Sequence, residues 1–375
     1  MRRALLRAAA ALVLGCCVLD AQSTTPVDPS PPRAEAVSPE PPGAIPSPVP
    51  TSPKSAVYFA LLPASVEGGE VREGMVGRMV DAVVMSVAGK SDIASAWRVF
   101  VKPNERIGIK VSASGAPVSS THAAVVGAVA RGLLAAGVSA ANIVIWDRLE
   151  RDLQHAGYER LERKYRVIGT DQAGGYDEKA KFTAAVMGQL IDGDRDFSAK
   201  RDSPGSSRSY LSSVLTQEVD KVVHIPALTA SVFSGVHGAL AGMVLDNLDN
   251  WRRLARSPHY GDPYLPELYA DPRIGGKVVL TILDALRPQY EGGPFSAAQF
   301  SENYGAIFGS RDPVAIDAIG LRLLDDFRKE AKLESLAKRT PWLESAEFLG
   351  LGAAAENRID LLRTGLQGEV QMGRP

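Results

Sequence analysis

The sequence predicts an α/β fold, a mostly parallel sheet flanked by helices, and three features carry that prediction. Short apolar runs at residues 106–111, 143–146, 221–225 and 278–283 have the length and near-unbroken hydrophobicity of strands covered on both faces. Helical spacing appears between and after them, with Val125, Val129 and Leu133 on one stripe and Ile316, Gly320, Leu323 and Phe327 on another. Polar, glycine-rich loops follow the strands, where open α/β sheets place their sites.

Residues 1–21 read as a signal peptide. MRRALLR is followed by an uncharged run at residues 8–19, too short to span a bilayer. Arg2 and Arg3 resemble a twin-arginine export signal, and an ordinary secretory signal fits equally. Val13-Leu14-Gly15-Cys16 resembles a lipoprotein cleavage box, which would make Cys16 the lipid-bearing first residue; cleavage after Ala21 is the rival. The expectation is an exported protein, periplasmic or lipid-anchored to the cell envelope, that meets a membrane only through its signal or that anchor.

Cys16 and Cys17 are the only cysteines. The exported domain is therefore expected to lack a disulfide framework, a thiolate zinc site and a cysteine-ligated iron–sulfur cluster. A metal, if one binds, would use His and carboxylate oxygens. Residues 26–53 hold 11 prolines among Ser, Thr and Ala, a composition that predicts a disordered, extended tether over residues 22–53. Residues 54–375 are long enough for a single α/β domain. Without residues 1–21 the balance is 39 basic to 42 acidic residues, and no basic run with interleaved aromatics occurs. Nucleic acid is not an expected partner.

The first clear unit is a strand at 106–111, a small polar loop at 112–120 (SASGAPVSS), and a helix capped by Ser120 or Thr121 and ended by Gly137. The next strand, 143–146, puts Asp147 at its carboxyl end. A Gly/Ser loop entering a helix start points backbone N–H groups at one spot, so either an anion site or a plain capped turn follows. Ser112, Ser114, Gly115, Thr121 and His122 are the ligand-binding candidates there, with Asp147.

Residues 192–196 (DGDRD) read as a solvated acidic turn, since the calcium-loop Gly and Glu are missing. Residues 206–219 suggest a helix leading into strand 221–225. The small-residue stretch LTASVFSGVHGALAGMV then offers His237 among glycines, either at a ligand site or in a tightly packed helix. Strand 278–283 is expected to stop at Asp284, with Pro288 and the Gly292-Gly293-Pro294 turn keeping the following backbone irregular. Asp312 is expected to cap a helix that has Pro313 in its first turn. Asp284 and Asp312 are the catalytic candidates, and Gly292 and Gly293 join the ligand-binding set. If the strands are parallel, all these groups converge on one cleft.

VKPNERIGIKV, STHAAVVGAVARGLLAAGVSAANIVIWDR, DKVVHIPAL…SGVHGAL, DPYLPELYADPRIGGKVVLTILDALRPQYEGGP and GSRDPVAIDAIG occur in that order. Together they resemble the family called domain of unknown function 362, in its exported branch, over roughly residues 97–330. The resemblance implies an α/β domain and no settled activity. Where relatives typically carry Lys, His, Thr, Lys and Asn, this chain has Thr229, Ser231, His237, Ala241 and Gly242. Two cations fewer in a cleft change its field, so this member binds something different or is a non-catalytic descendant. Three readings follow: a binder of a small molecule or metal ion, with its cofactor unknown; a hydrolytic or redox enzyme using Asp284 and Asp312 with a His; or a cell-envelope scaffold with a vestigial cleft.

Overall fold

The structure, a computed structural model, describes residues 54–189 and 205–366. The signal-peptide and lipid-box readings, the tether and the acidic turn at 192–196 lie outside the described residues. A ten-stranded sheet forms the centre. Across it run Ile359–Arg363, Ser55–Leu61, Ala306–Ser310, Val278–Gln289, Lys221–Ile225, Ile107–Val111, Ile143–Asp147 and Arg166–Gly169. The last five are parallel to one another. Ala306–Ser310 reverses against both of its neighbours. Ala227–Ser231 adds to Val278–Gln289 beyond a bulge and pairs with the short strand Gly235–His237.

All five residues of Ile107–Val111 are buried, which explains why the strand shows no polar alternation. Ile107, Ile109 and Val111 pack with Val223, Ile225, and helices Glu73–Ala88 and Ala123–Ala135 on one face. Fully burying each such side chain stabilises the fold by roughly 1.5–3 kcal/mol. The other face carries Trp146, Val222 and the helices Ala239–Val244 and Pro313–Glu330. Gly108 sits there beneath Trp146; a Cβ on it would come within 2.4 Å of the indole. Lys110 points to this same face. It is an ion in a core strand.

Three sequence expectations are corrected. The strand starting at Val278 does not stop at Asp284; it runs to Gln289, because Ala306–Ser310, Ala227–Ser231 and an isolated bridge to Ser301 supply partners further along. The helix expected at 206–219 is instead strand Gly205–Ser212, paired with Tyr176–Gln189, followed by a π-type turn at Val214–Glu218. That pairing is non-local and overrides local propensity. The helix after the 112–120 loop is capped by neither Ser120 nor Thr121: His122 is its N-cap residue, without a side-chain cap of its own.

Candidate functional site at the carboxyl ends of the parallel strands

Lys110 is wholly buried. Its ammonium donates to the Val111 carbonyl at 2.6 Å, to Asp147 Oδ1 at 2.7 Å and, more weakly, to Asp246 Oδ2 at 3.4 Å. Asp147, the last residue of its strand, accepts the Ala113 amide on its other oxygen at 2.7 Å. Asp246 lies in the turn Leu245–Asn247, directly after helix Ala239–Val244, and its Oδ2 also meets His237 Nε2 at 3.0 Å. Asp147, Lys110, Asp246 and His237 thus form one continuous chain of charge-assisted contacts. A buried ion survives only when paired and hydrogen-bonded in this way.

The members of the chain shift one another. Burial pushes Asp147 up, against the pull of Lys110. Burial would also raise Asp246, but the charges of His237 and Lys110 outweigh it and hold that carboxyl well below its ordinary value. For His237 burial works downward, and the Asp246 charge and hydrogen bond overcome it, so the imidazole titrates above its usual range. His224, the register partner of Lys110, is driven the opposite way by burial and by the Lys110 charge, and stays neutral. One histidine of the site is thus inert to pH near neutrality, and the other responds.

A cavity of about 480 Å³ opens above this chain. Asp147, Asp246 and His237 contribute to its floor, and Arg148, Trp251 and Arg252 to one wall. Ser114, Pro294 and Phe295 close the other side. The guanidinium carbons of Arg252 and Arg148 lie 4.8 and 5.8 Å from the Trp251 ring centre. Among the described residues no three His, Cys, Asp or Glu groups stand where they could share a metal ion. The place between Asp147 and Asp246, where a cation would sit, is held by the Lys110 ammonium.

The structure brings together most of the residues singled out in the sequence. The 112–120 loop and the Gly292-Gly293 turn touch: Ser119 Oγ donates to Gln289 Oε1 at 2.7 Å, and Gln289 in turn holds Phe295 O and Ala297 N. Glycine is required at both contacts. A Cβ on Gly115 would meet Ser119 O at 2.4 Å, and one on Gly293 would meet Ala230 O at 2.0 Å. Gly292 adopts a φ of 76° at the turn itself. Thr121 accepts the Ser112 amide and donates to the Ile225 carbonyl, tying two strand ends together. Ser114, Asp147 and His237 reach the cavity.

Asp284 and His122 form a separate pair. Asp284 Oδ2 accepts the His122 amide at 2.8 Å and meets His122 Nδ1 at 2.9 Å, while Oδ1 takes the Leu286 amide. The anion at that helix start is therefore the protein's own Asp284.

Asp312 is elsewhere. It caps helix Pro313–Glu330 through the Ala315 amide, and its other oxygen takes Ser55 Oγ and the Ala353 amide. Because Ala306–Ser310 runs antiparallel, Ser310 pairs with Thr281, and the chain leaves at the opposite edge from Asp284. The shared cleft expected for Asp284 and Asp312 is thus corrected by strand direction.

Sequence reasoning missed Lys110, Asp246 and the arginine-flanked Trp251. Lys110 had a signal: a lysine inside IGIKV, a run that should be buried on both faces. Asp246, in the polar stretch DNLDN, had none. Asp317 supports the charged chain from behind. It accepts the Ala239 and Leu240 amides at 2.5 and 2.8 Å and so anchors the helix that carries Asp246. Burial raises its carboxyl to about 7. A Cβ on Gly238 would come within 2.0 Å of that carboxylate.

Against known proteins, residues 99–322 match the family described as a domain of unknown function, number 362. The chain belongs to this family. A search of curated proteins finds no match. Among solved structures, a crystal structure of a protein from Thermotoga maritima, a structural-genomics target, is similar at 12% identity with a TM-score of 0.38. The likeness covers 72% of this chain and 61% of that one, so this chain spans under two thirds of that protein's length. Two residues singled out in the sequence, His237 and Gly242, lie at the site of this member of domain of unknown function 362. His237 joins the charged chain, and Gly242 leaves no side chain over His224, whose ring would lie 3.3 Å from a Cβ there. Among the described residues, neither ring nitrogen of His224, nor Ser112 Oγ beside it, has a hydrogen-bond partner.

Proposed function

We propose that this protein binds a small organic molecule in the cavity at the carboxyl ends of its parallel strands. The observation that carries this reading is the cavity itself, set over a buried chain of ionised groups. A structural ion cluster has no need of a 480 Å³ opening above it, and that volume lies in the range of small-molecule pockets. A resident metal is disfavoured, because Lys110 already supplies the positive charge between the two floor carboxylates. A second reading, an enzyme that moves a proton on the bound molecule, is favoured by the His237–Asp246 pair, in which a carboxylate orients an imidazole and raises its basicity. Asp284 and Asp312 take no joint part in either reading. Export and a lipid at Cys16 belong to the same proposal. They rest on the leader sequence and are tested by the mature N-terminus and by membrane partitioning of Cys16→Ser.

The test of binding is thermal shift of the full chain across a panel of small acids, amines and neutral aromatics. A true ligand raises the melting temperature in proportion to its concentration over its dissociation constant. Ser114→Trp, which places an indole in the cavity mouth, is expected to abolish that shift. A panel without any shift, or a shift that survives Ser114→Trp, rejects the reading.

A further inference from the structure

We propose that a buried water molecule sits between His224 Nε2 and Ser112 Oγ, in the notch that Gly242 leaves under helix Ala239–Val244. None of these three residues lines the cavity, so the proposal stands whether or not the cavity takes a ligand. It rests on two polar side chains that the protein itself leaves unsatisfied, and on the shape of the space between them.

His224 is wholly buried, and Ser112 is 4% exposed. Among the described residues neither imidazole nitrogen and not the hydroxyl has a hydrogen-bond partner. Protein interiors rarely leave such atoms unpaired, because each one keeps its full desolvation penalty. Both residues are held on rigid backbone. The Ser112 amide donates to Thr121 Oγ1 at 2.9 Å, and its carbonyl accepts the Thr121 amide at 2.8 Å. His224 stands in a strand paired on both sides, with Lys110 and Thr281 as its register partners. Lys110 cannot serve as the missing partner. Its contacts to the Val111 carbonyl, Asp147 and Asp246 already use the three donors of an ammonium.

The space fits one small polar occupant. A Cβ on Gly242 would lie 3.3 Å from His224 Cε1 and Nε2 and 3.6 Å from Ser112 Oγ. Carbon atoms prefer separations of about 3.5–4.0 Å, so a methyl there is tight against the ring. A hydrogen-bonded oxygen prefers about 2.7–3.2 Å, so a water near that point reaches both groups after a small shift. Gly238, one turn earlier, is a contrast. A Cβ there would come within 2.0 Å of Asp317 Oδ1, and glycine is demanded by overlap alone. At Gly242 the neighbours are instead the two unsatisfied side chains. Charge selects a neutral occupant. The Lys110 ammonium, which helps to keep His224 neutral, would repel a cation, and a neutral imidazole offers an anion no charge. Water donates and accepts, so it satisfies Nε2 in either tautomer and the hydroxyl as well.

Such a water joins three parts of the site. It touches the central strand Lys221–Ile225, the start of the loop that carries Ser114 to the cavity, and the helix that leads into Asp246. It also gives His224 a partner of its own, which leaves Asp246 to Lys110 and His237.

The experiment uses the full chain and two readouts. Magnetisation transfer from bound water to His224 Hε1 and the Gly242 Hα protons reports the occupant, and thermal melting reports its energetic role. Wild type is expected to show the transfer. Gly242→Ala is expected to lose it and to melt roughly 2–4 °C lower, although alanine is the better helix residue. A simple clash of the new methyl would also lower the melting temperature, so Ser112→Ala decides. It is expected to lower the melting temperature of wild type, where the hydroxyl binds water, and to raise that of Gly242→Ala, where the hydroxyl is stranded. Should Gly242→Ala fail to fold by circular dichroism, Ser112→Ala alone is expected to weaken the transfer at His224 Hε1. A dry notch predicts otherwise: no transfer in wild type, or the same effect of Ser112→Ala in both backgrounds, would overturn the proposal. Crystallographic density at the notch that continues into a molecule in the cavity would overturn the assignment to water.

Discussion

Asp246 and Asp312 are both aspartates at the ends of helices, at opposite edges of one sheet, and they do different things. Asp312 is surrounded by fixed donors: the Ala315 and Ala353 amides and Ser55 Oγ. Gly352 leaves so little room that a Cβ there would lie 1.9 Å from its carboxylate. Asp246 faces two groups that carry charge themselves, Lys110 and His237, and part of its side chain opens on a cavity. A carboxylate held by backbone amides is a joint, since its partners can neither leave nor titrate. One held by side chains over a cavity can respond to protons and ligands. The chemistry of the residue does not separate the two; the kind of partner does.

The strongest way to break this comparison is to remove the centre of the responsive edge. Lys110→Met keeps the volume and deletes the charge, leaving Asp147 and Asp246 buried without their cation. The expected loss is about 3–5 kcal/mol in urea unfolding, the usual consequence of breaking a buried pair from one side. Adding Asp147→Asn should restore part of that stability. A loss under about 1 kcal/mol would mean that the two carboxylates are held some other way.

Asp317 sits between the two cases, amide-bound like Asp312 yet buried beside the charged chain. Asp317→Asn keeps one acceptor and turns an amide NH2 toward a backbone N–H, so roughly 1–3 kcal/mol of stability should be lost. The pH dependence has a definite sign. The folded-state value near 7 lies above the ordinary carboxylate value of 3.8, so the folded protein binds the extra proton more tightly. The contribution is fully present below pH 3.8 and is lost as pH rises through about 7. A wild-type minus D317N stability curve that rises over this range would contradict it.

The smallest effect is expected at Asp312. Asn caps helices as well as Asp does, so Asp312→Asn should lose only about 1 kcal/mol, from the poorer fit to the Ala353 amide and Ser55. Ligand affinity at the cavity should stay unchanged. An affinity loss in Asp312→Asn without a stability loss would join the two edges into one site and erase the distinction drawn here.

Much of the fold was legible because its signals are local. The apolar runs read at 106–111, 143–146 and 221–225 form strands Ile107–Val111, Ile143–Asp147 and Lys221–Ile225, and the stripe of Val125, Val129 and Leu133 forms the expected helix. Gly115 and Gly293 marked the loops that do touch. The strand at 205–212 was not legible, because its partner lies across a long hairpin and its own residues carry no strong preference. Half of the floor was readable: Asp147 stood out as a polar residue at a strand end and His237 as a histidine among glycines, whereas Asp246 looked like one more acid in a polar turn.

By itself the sequence determined the kind of chemistry on offer. With no cysteine after Cys17, the domain can offer a metal no thiolate, only imidazoles and carboxylate oxygens. It also determined which segments become strands or helices, since side-chain period and capping act within a few residues. Only the tertiary structure decided which charges meet. Lys110 and Asp246 are 136 positions apart, and nothing near either one encodes the other. The reversal of Ala306–Ser310 sent Asp312 to the far edge, although its local signals matched those of a cleft residue. Strand direction comes from pairing with neighbours across the sheet, and pairing is the one property that no short stretch of chain possesses alone.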